Sequence, residues 1–201
     1  MRRFLLLLCI FPTFAQESSG PFMEIGVGVS NSPYHAPIAY RSERLNFPLE
    51  ASLGYEFYLF KNIHPSLAVT LARGGWDWKL DGYGGYIRYI YPAIDVNIIW
   101  HSDKENLTND LFGINFLNRI SDLFGIGFFM GWPKVTEKLD AIYAAGDAKH
   151  NCTIYGNSLF MGYKIFDNYR IIFKYQISLL EYKGYDFFIE ESLRLNFQYI
   201  F

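Results

Sequence analysis

Apolar and polar residues alternate along several stretches of the chain. Over residues 190–201 one alternate set is apolar and the other is polar: Leu193, Leu195, Phe197, Tyr199 and Phe201 against Ser192, Arg194, Asn196 and Gln198. Residues 47–59 repeat the pattern, from Phe47 to Leu59, with Glu50, Ser52, Gly54 and Glu56 between the apolar positions. A period of two residues predicts β strands with one apolar and one polar face.

The same period predicts eight strands in all. They lie at 22–30, 47–59, a stretch carrying Leu67, Val69 and Leu71, and then 86–100, 123–132, 155–165, 170–180 and 190–201. In the fourth strand Arg88 is expected to face inward, and a bulge at Pro92 is then needed to bring Asp95 and Asn97 to the same side.

The connections between these strands differ in length. Long loops are predicted at 31–46, 73–84 and 133–153, and short turns at Lys61-Asn62 and Asp167-Asn168. Residues 101–121 fit a short amphipathic helix about as well as a strand. Treating them as a connection at the side of the short turns, with a short periplasmic helix as one option, keeps the strand number even.

The first residues have the features of a secretory signal peptide. Arg2 and Arg3 precede the apolar run at 4–11, which is too short to span a membrane, and Ala15 offers a small residue for cleavage. We therefore expect residues 1–15 to be removed and residues 16–201 to form one domain. Cleavage leaves Cys152 as the single cysteine, so no disulfide is expected within the mature chain.

Composition narrows the class of protein further. The chain has 16 Tyr, 19 Phe and 4 Trp, yet its mean hydropathy is only +0.04. With 18 basic and 20 acidic residues, neither sign of charge dominates, which argues against nucleic acid as a partner. High aromatic content with modest hydropathy is typical of strands that face lipid on one side and a polar interior on the other.

These observations predict an all-β fold, an antiparallel up-and-down transmembrane β-barrel. The alternative is a secreted, tyrosine-rich β-sandwich that is soluble in water, for which every inside and outside assignment would be reversed. Glycines at alternate positions of 22–30 and 123–132 fit a narrow barrel, because they leave room in its interior.

The final strand, closed by a terminal Phe201, resembles the C-terminal signal of bacterial outer-membrane β-barrels. The pattern resembles the small eight-stranded barrels typified by outer-membrane protein X and the membrane domain of outer-membrane protein A. The resemblance implies a monomer in the bacterial outer membrane, with Tyr199 and Phe201 read by the barrel assembly machinery. It also implies outer-membrane lipids and lipopolysaccharide as surroundings, with an extracellular ligand for the outer loops.

A polar network is predicted inside the barrel from the inward alternate positions. It comprises Glu24, Glu50, Glu56, Arg88, Lys164, Arg170, Lys174, Glu190 and Arg194. In an eight-stranded barrel the interior is just wide enough for side chains to fill. These groups are expected to pair as a structural plug, and a narrow water path through them is the alternative.

No catalytic, cofactor or metal motif is evident in the sequence. HExxH, GxSxG, CxxC pairs and phosphate-binding glycine loops are missing. The strand layout loosely resembles the lipid A deacylases, but the His-x-Ser dyad of that family is replaced here by Gln176-Ile177-Ser178. All four histidines, at 35, 64, 101 and 150, fall in predicted loops or turns.

The sequence therefore favours a non-enzymatic surface protein that acts through its outer loops in adhesion, defence or envelope integrity. A narrow channel for small solutes is the second hypothesis, and a lipid A-modifying acyl hydrolase is the third.

Overall fold

The structure is a computed structural model that describes residues 19–35, 46–60, 62–80, 83–102, 117, 120–140, 147–182 and 186–201. The expected signal peptide lies outside the described residues. The strands are β1 (Gly20–His35), β2 (Leu49–Glu56), β3 (Ile63–Leu80), β4 (Tyr83–His101), β5 (Leu123–Gly131), β6 (Lys134–Asp140), β7 (Asp147–Asn151), β8 (Thr153–Phe166), β9 (Tyr169–Tyr182) and β10 (Asp186–Ile200).

The strands form one closed antiparallel sheet. β1 pairs with β2 on one side and with β10 on the other, and the sheet continues through β9, β8, β5 and β4. β4 pairs in turn with β3, which pairs with β2. The first and last strands are therefore neighbours, and the sheet has no open edge around the barrel wall.

Two pairs of segments are each one strand with a short interruption. β5 and β6 are separated by Trp132 and Pro133, and both pair with β4; β7 and β8 are separated by Cys152. Backbone hydrogen bonds bridge both gaps, from Trp132 N to Pro92 O at 3.1 Å and from Cys152 N to Pro133 O at 3.0 Å. The barrel thus has eight strands, and the predicted fold class is confirmed.

Side chains alternate between the two faces of the wall. On β2 the alternate residues Leu49, Ala51 and Leu53 are exposed, whereas Glu50 and Ser52 are buried. The described parts of the other strands follow the same rule, so the outer surface is largely apolar and the interior largely polar. This is the reverse of a soluble barrel and matches the transmembrane type.

The predicted bulge at Pro92 is wrong. Pairing between β3 and β4 continues in register from Ile63 opposite Trp100 to Leu80 opposite Tyr83, with Pro92 opposite Leu71. Tyr89, Tyr91 and Asp95 are all buried and lie on one face of β4. Asp95 therefore faces inward without any shift, and the error was the choice of Arg88 as an inward position.

Strands occupy much of the predicted loops. Residues 73–84 belong almost entirely to β3 and β4, residues 31–35 extend β1, and residues 133–153 contain β6 and β7. The connection at 103–116 lies outside the described residues. Beside it, Leu117 and Ile120 have helical backbone, and Ser121 N donates to Leu117 O at 2.9 Å.

The two ends of the barrel differ. Gly20, Phe201 and the turn at Asp167-Asn168 lie at one end, called here the terminal end. The β3–β4 and β6–β7 hairpins lie at the other, called the hairpin end. Inside the barrel towards the hairpin end is a buried apolar cluster formed by Ala72, Tyr89, Tyr91, Ala93, Phe129, Val135, Cys152, Ile154 and Leu180.

Among the described residues, no helix combines the length and apolar character needed to cross a membrane.

Candidate functional site in the barrel lumen

Glu50 is at the centre of a charged network that joins three strands. It lies on the inward face of β2 and receives hydrogen bonds from Arg194 Nη1, from Lys174 Nζ at 3.3 Å and from Asn196 Nδ2 at 2.6 Å. The side chains of Glu50 and Arg194 are 2 and 4 % exposed. Both partners of this ion pair are removed from water, and their pairing links β2 to β10 across the inner face of β1.

Asn196 connects this network to a second carboxylate. Its Nδ2 also donates to Glu24 Oε1 at 2.5 Å, and Gln198 Nε2 donates to Glu24 Oε2 at 3.1 Å. Asn196 is fully buried. One amide group therefore lies between two acidic side chains and donates an N–H hydrogen bond to each.

A separate network occupies the terminal end. Glu56 is fully buried at the last position of β2, and Arg170 Nη1 donates to its Oε2 at 2.6 Å. Its other oxygen, Oε1, lies 3.0 Å from His64 Nδ1 and 2.7 Å from His101 Nε2. Arg170 Nη1 also donates to Gln198 Oε1 at 3.2 Å, which links this cluster to Glu24.

Two further buried acids complete the lumen. Glu190 on β10 accepts a hydrogen bond from the hydroxyl of Tyr89, beside the apolar cluster. Asp95 accepts one from Thr70, whose hydroxyl lies 2.7 Å from that of Ser52. Tyr89 was not among the expected network residues, because Arg88 had been placed on the inward face of β4. Asp95 was expected to face inward but was not counted in the network.

Two expected lumen residues lie elsewhere. Arg88 is on the opposite alternate set to Tyr89, and its guanidinium lies 5.2 Å from the centre of the Tyr86 ring. Lys164 belongs to the inward set of β8, but it is exposed at the terminal end, where its backbone nitrogen donates to Asp122. The structure places the other seven residues, Glu24, Glu50, Glu56, Arg170, Lys174, Glu190 and Arg194, inside the barrel.

Acidic groups outnumber basic groups in the described lumen. Five carboxyl side chains are buried there, namely Glu24, Glu50, Glu56, Asp95 and Glu190, against the three cations Arg170, Lys174 and Arg194. The expected near-complete pairing of four acids with five bases is therefore wrong, because Asp95 joins the set while Arg88 and Lys164 leave it.

The expectation that all histidines lie in loops is also wrong. His64 and His101 are in β3 and β4 with buried side chains, and the backbones of His35 and His150 are in β1 and β7. His64 shares its face with Ser66, Ala68 and Thr70. This alternation was visible in the sequence, but the third strand was taken to begin near Leu67.

Little free space remains between the networks. A cavity of about 30 Å³ lies among the polar side chains of the lumen. Its lining includes Glu24, Asp95, Lys174, Gln198 and Phe22. Such a volume holds about one or two water molecules. Towards the hairpin end the apolar cluster follows, so the lumen is filled by side chains for most of its described length.

The C-terminal residues lie in the barrel wall. Phe201 N donates to Pro21 O at 2.9 Å, and the Tyr199 ring lies 5.0 Å from that of Phe201 and 4.9 Å from that of Tyr169. The Phe201 side chain is exposed on the outer surface. Recognition of Tyr199 and Phe201 by an assembly machinery stays a prediction.

No protein-family model matches the chain, and no curated protein matches it in sequence. Solved structures do match its fold. Neisserial surface protein A is 13 % identical with a TM-score of 0.56, over 91 % of this chain and 98 % of that one. The attachment invasion locus protein Ail of Yersinia pestis is 12 % identical, over 90 % of this chain and 99 % of that one, with a TM-score of 0.49. The outer membrane protein OprG from Pseudomonas aeruginosa is 11 % identical, over 93 and 99 %, with a TM-score of 0.42. The likeness to Neisserial surface protein A shows that this chain has the fold of a small membrane β-barrel.

Proposed function

We propose that the protein is a bacterial outer-membrane β-barrel that acts through the hairpins at its outer face, and that its lumen serves as a structural plug. The terminal end would face the periplasm and the hairpin end the outside. Exposed aromatic side chains, Phe57, Tyr58, Phe166, Tyr169 and Phe201, support a membrane interface at the terminal end, because aromatic girdles mark such interfaces. The short turn at Asp167-Asn168 supports the periplasmic side for this end, because periplasmic turns are short.

The observation that carries the proposal is the filled lumen. A water-filled pore needs a continuous polar path, whereas the apolar cluster around Phe129, Ile154 and Leu180 lies across the interior on the hairpin side. Each of these three side chains is at most 8 % exposed. Below the cluster, the ion pairs of Glu50 and Glu56 connect β2 with β10 and with β9 through the interior.

The length of the strands supports a role for the hairpins. A tilted strand crosses a bilayer with about 9–11 residues. β3 and β4 have 18 and 19 residues, and β6 and β7 extend the wall beyond β5 and β8. About half of the β3–β4 hairpin thus projects past the membrane as ordered sheet, which offers a stiffer contact surface than a loop.

The proposed activity is contact with an extracellular ligand, in adhesion, defence or envelope integrity, by a monomeric barrel surrounded by lipid and lipopolysaccharide. The geometry favours this over catalysis. The Oγ atom of Ser178, which corresponds to the serine position of the lipid A deacylases, is buried inside the barrel and accepts a hydrogen bond from Gln176 Nε2 at 3.3 Å. A lipid-modifying serine must instead reach the outer leaflet.

Shortening the hairpins tests this function directly. In one variant Asn-Gly replaces residues 138–147, which joins the paired Glu137 and Ala148 through a two-residue turn. In a second variant Asn-Gly replaces residues 78–85, between the paired Asp77 and Tyr86. We expect both proteins to fold, as judged by heat-modifiable gel migration. At least one should lose adhesion of displaying cells to an epithelial monolayer or survival in serum.

If both shortened barrels give full adhesion and serum survival at the same surface density as the wild type, the hairpins are not needed for the proposed activity. Cells carrying the empty vector set the background.

The substitution Lys174→Met distinguishes the structural plug from the channel alternative. Lys174 Nζ lies 3.3 Å from Glu50, which keeps Arg194 and Asn196 as partners. We expect a loss of about 1.5–3 kcal/mol in the free energy of unfolding, the range of a hydrogen bond to a charged group. Planar-bilayer conductance should equal that of the wild type. Altered conductance with unchanged stability would contradict the plug.

A further inference from the structure

Three neighbouring strands bring potential metal ligands together at the terminal end of the lumen. Glu56 lies on β2, His64 on β3 and His101 on β4, and each of these strands pairs with the next. Glu56 is opposite Ser66, two residues from His64, while His64 is opposite Ile99, two residues from His101. All three side chains point into the lumen as diagonal neighbours.

Their donor atoms converge on one point. One donor atom from each residue lies within 4.8 Å of the other two, and Glu56 Oε1 is 3.0 Å from His64 Nδ1 and 2.7 Å from His101 Nε2. A tetrahedral ion with bonds of about 2.0–2.1 Å holds its donor atoms roughly 3.3 Å apart. The two separations from Glu56 Oε1 are thus within about 0.6 Å of the spacing that a bound ion requires.

The protonation of the two rings permits coordination. A ligating imidazole nitrogen must be unprotonated, so the proton moves to the far nitrogen of the ring. The far nitrogens, His64 Nε2 and His101 Nδ1, are buried and have no hydrogen-bond partner in the described part of the chain. Without a metal, the near nitrogens donate to Glu56 Oε1. A bound ion would replace these two hydrogen bonds, and the ring protons would then be on the far nitrogens.

Charge favours a cation at this place. The described lumen holds five buried carboxyl groups against three Lys and Arg side chains, so acidic side chains are in the majority there. Arg170 donates to Glu56 Oε2 at 2.6 Å, so it orients the carboxylate and leaves Oε1 available. Outer partners of this kind are usual for metal-bound carboxylates.

We propose that Glu56, His64 and His101 form a binding site for a divalent first-row metal ion, with Zn²⁺ as the preferred physiological candidate. Two imidazoles and one carboxylate are a ligand set of zinc sites with one open position. The His101 side chain is 10 % exposed and gives the site its access from the periplasmic end. The ion would link β2, β3 and β4 from inside the barrel.

The test is calorimetric titration of ZnCl₂ into the untagged mature protein, refolded in detergent and stripped with a chelator. We expect one equivalent to bind to the wild type, and His64→Gln and His101→Gln each to weaken binding at least ~10-fold. His150→Gln, in strand β7 of the β6–β7 hairpin, is the matched control and should bind Zn²⁺ like the wild type. Heat-modifiable migration shows whether each variant is folded.

X-ray absorption of the zinc-loaded wild type provides a readout that does not depend on the variants. Two imidazoles with oxygen donors at about 2.0 Å would support the site even if the glutamine variants fail to fold. A wild type that binds no Zn²⁺, folded glutamine variants that bind as tightly as the wild type, or a shell with fewer than two imidazoles would overturn it.

Discussion

Arg170→Met is expected to lower the free energy of unfolding of the barrel by about 3 kcal/mol, the lower part of the range for breaking a buried ion pair. Arg170 and Glu56 are 1 and 0 % exposed and lie 2.6 Å apart. Removal of the guanidinium leaves the carboxylate buried beside two imidazoles, which compensate for only part of the lost charge. Unfolding by urea in detergent micelles, with a chelator present, measures the loss.

Lys164→Met is the matched control. Lys164 lies opposite Arg170 across the β8–β9 pair, but its side chain is exposed. The same change of residue type should therefore leave the midpoint of unfolding where it is in the wild type. Equal effects of the two substitutions would show that the buried Glu56 network does not contribute to stability as the structure indicates.

Val69→Arg is expected to destabilise the barrel in lipid by about 2–4 kcal/mol, the cost of a basic side chain facing the middle of a bilayer. Val69 is 64 % exposed on the outer face of β3, between Leu53 and Ile94 on the neighbouring strands. It lies six residues from the start of β3. This places it about half-way through the apolar layer, given roughly 3.3 Å per residue and a tilted strand.

Leu59→Arg controls for the change of residue type, because Leu59 is 59 % exposed but lies beyond the end of β2 at the terminal end. Near the interface the expected cost is only about 0–1 kcal/mol. The two variants are compared by reversible unfolding in phospholipid vesicles. If Val69→Arg is as stable as the wild type in lipid, or improves solubility in plain buffer, the outer face of β3 does not contact the bilayer interior.

The period of two residues was enough to predict the barrel and most of its inward face. Alternation placed the inward residues of β2 and β10 correctly, because one face of each strand is apolar along its whole length. These residues are Glu50, Ser52 and Glu56 on β2, and Arg194, Asn196 and Gln198 on β10. The same rule failed on β4. Tyr89 and Tyr91 fell on the outward set because Arg88 was taken as an inward position, whereas they belong to the apolar cluster inside.

The hairpins were missed for a different physical reason. Alternating hydropathy reports the contact of a strand with lipid, and it stops where the apolar layer stops. Backbone pairing does not stop there: β3 and β4 remain paired as far as Leu80 and Tyr83. Residues 73–84 therefore lack the pattern of a membrane strand although they are strand.

The convergence of Glu56, His64 and His101 could not be read from alternation alone. It depends on the register of β2 against β3 and of β3 against β4. Alternation predicts the face on which a residue lies, but it does not predict which residues of the neighbouring strands lie beside it.

The pairing of β1 with β10 determines when this protein can finish folding. The partners Phe22 and Ile200 are among the most distant residues of the sequence, so the contact that closes the barrel has a very high sequence separation and is expected to form slowly. Until β10 joins β1, an incomplete sheet has two open edges with unpaired backbone groups. The chain therefore has to be kept from associating with other chains until the barrel closes. Closure pairs both edges and so ends the risk of aggregation through them.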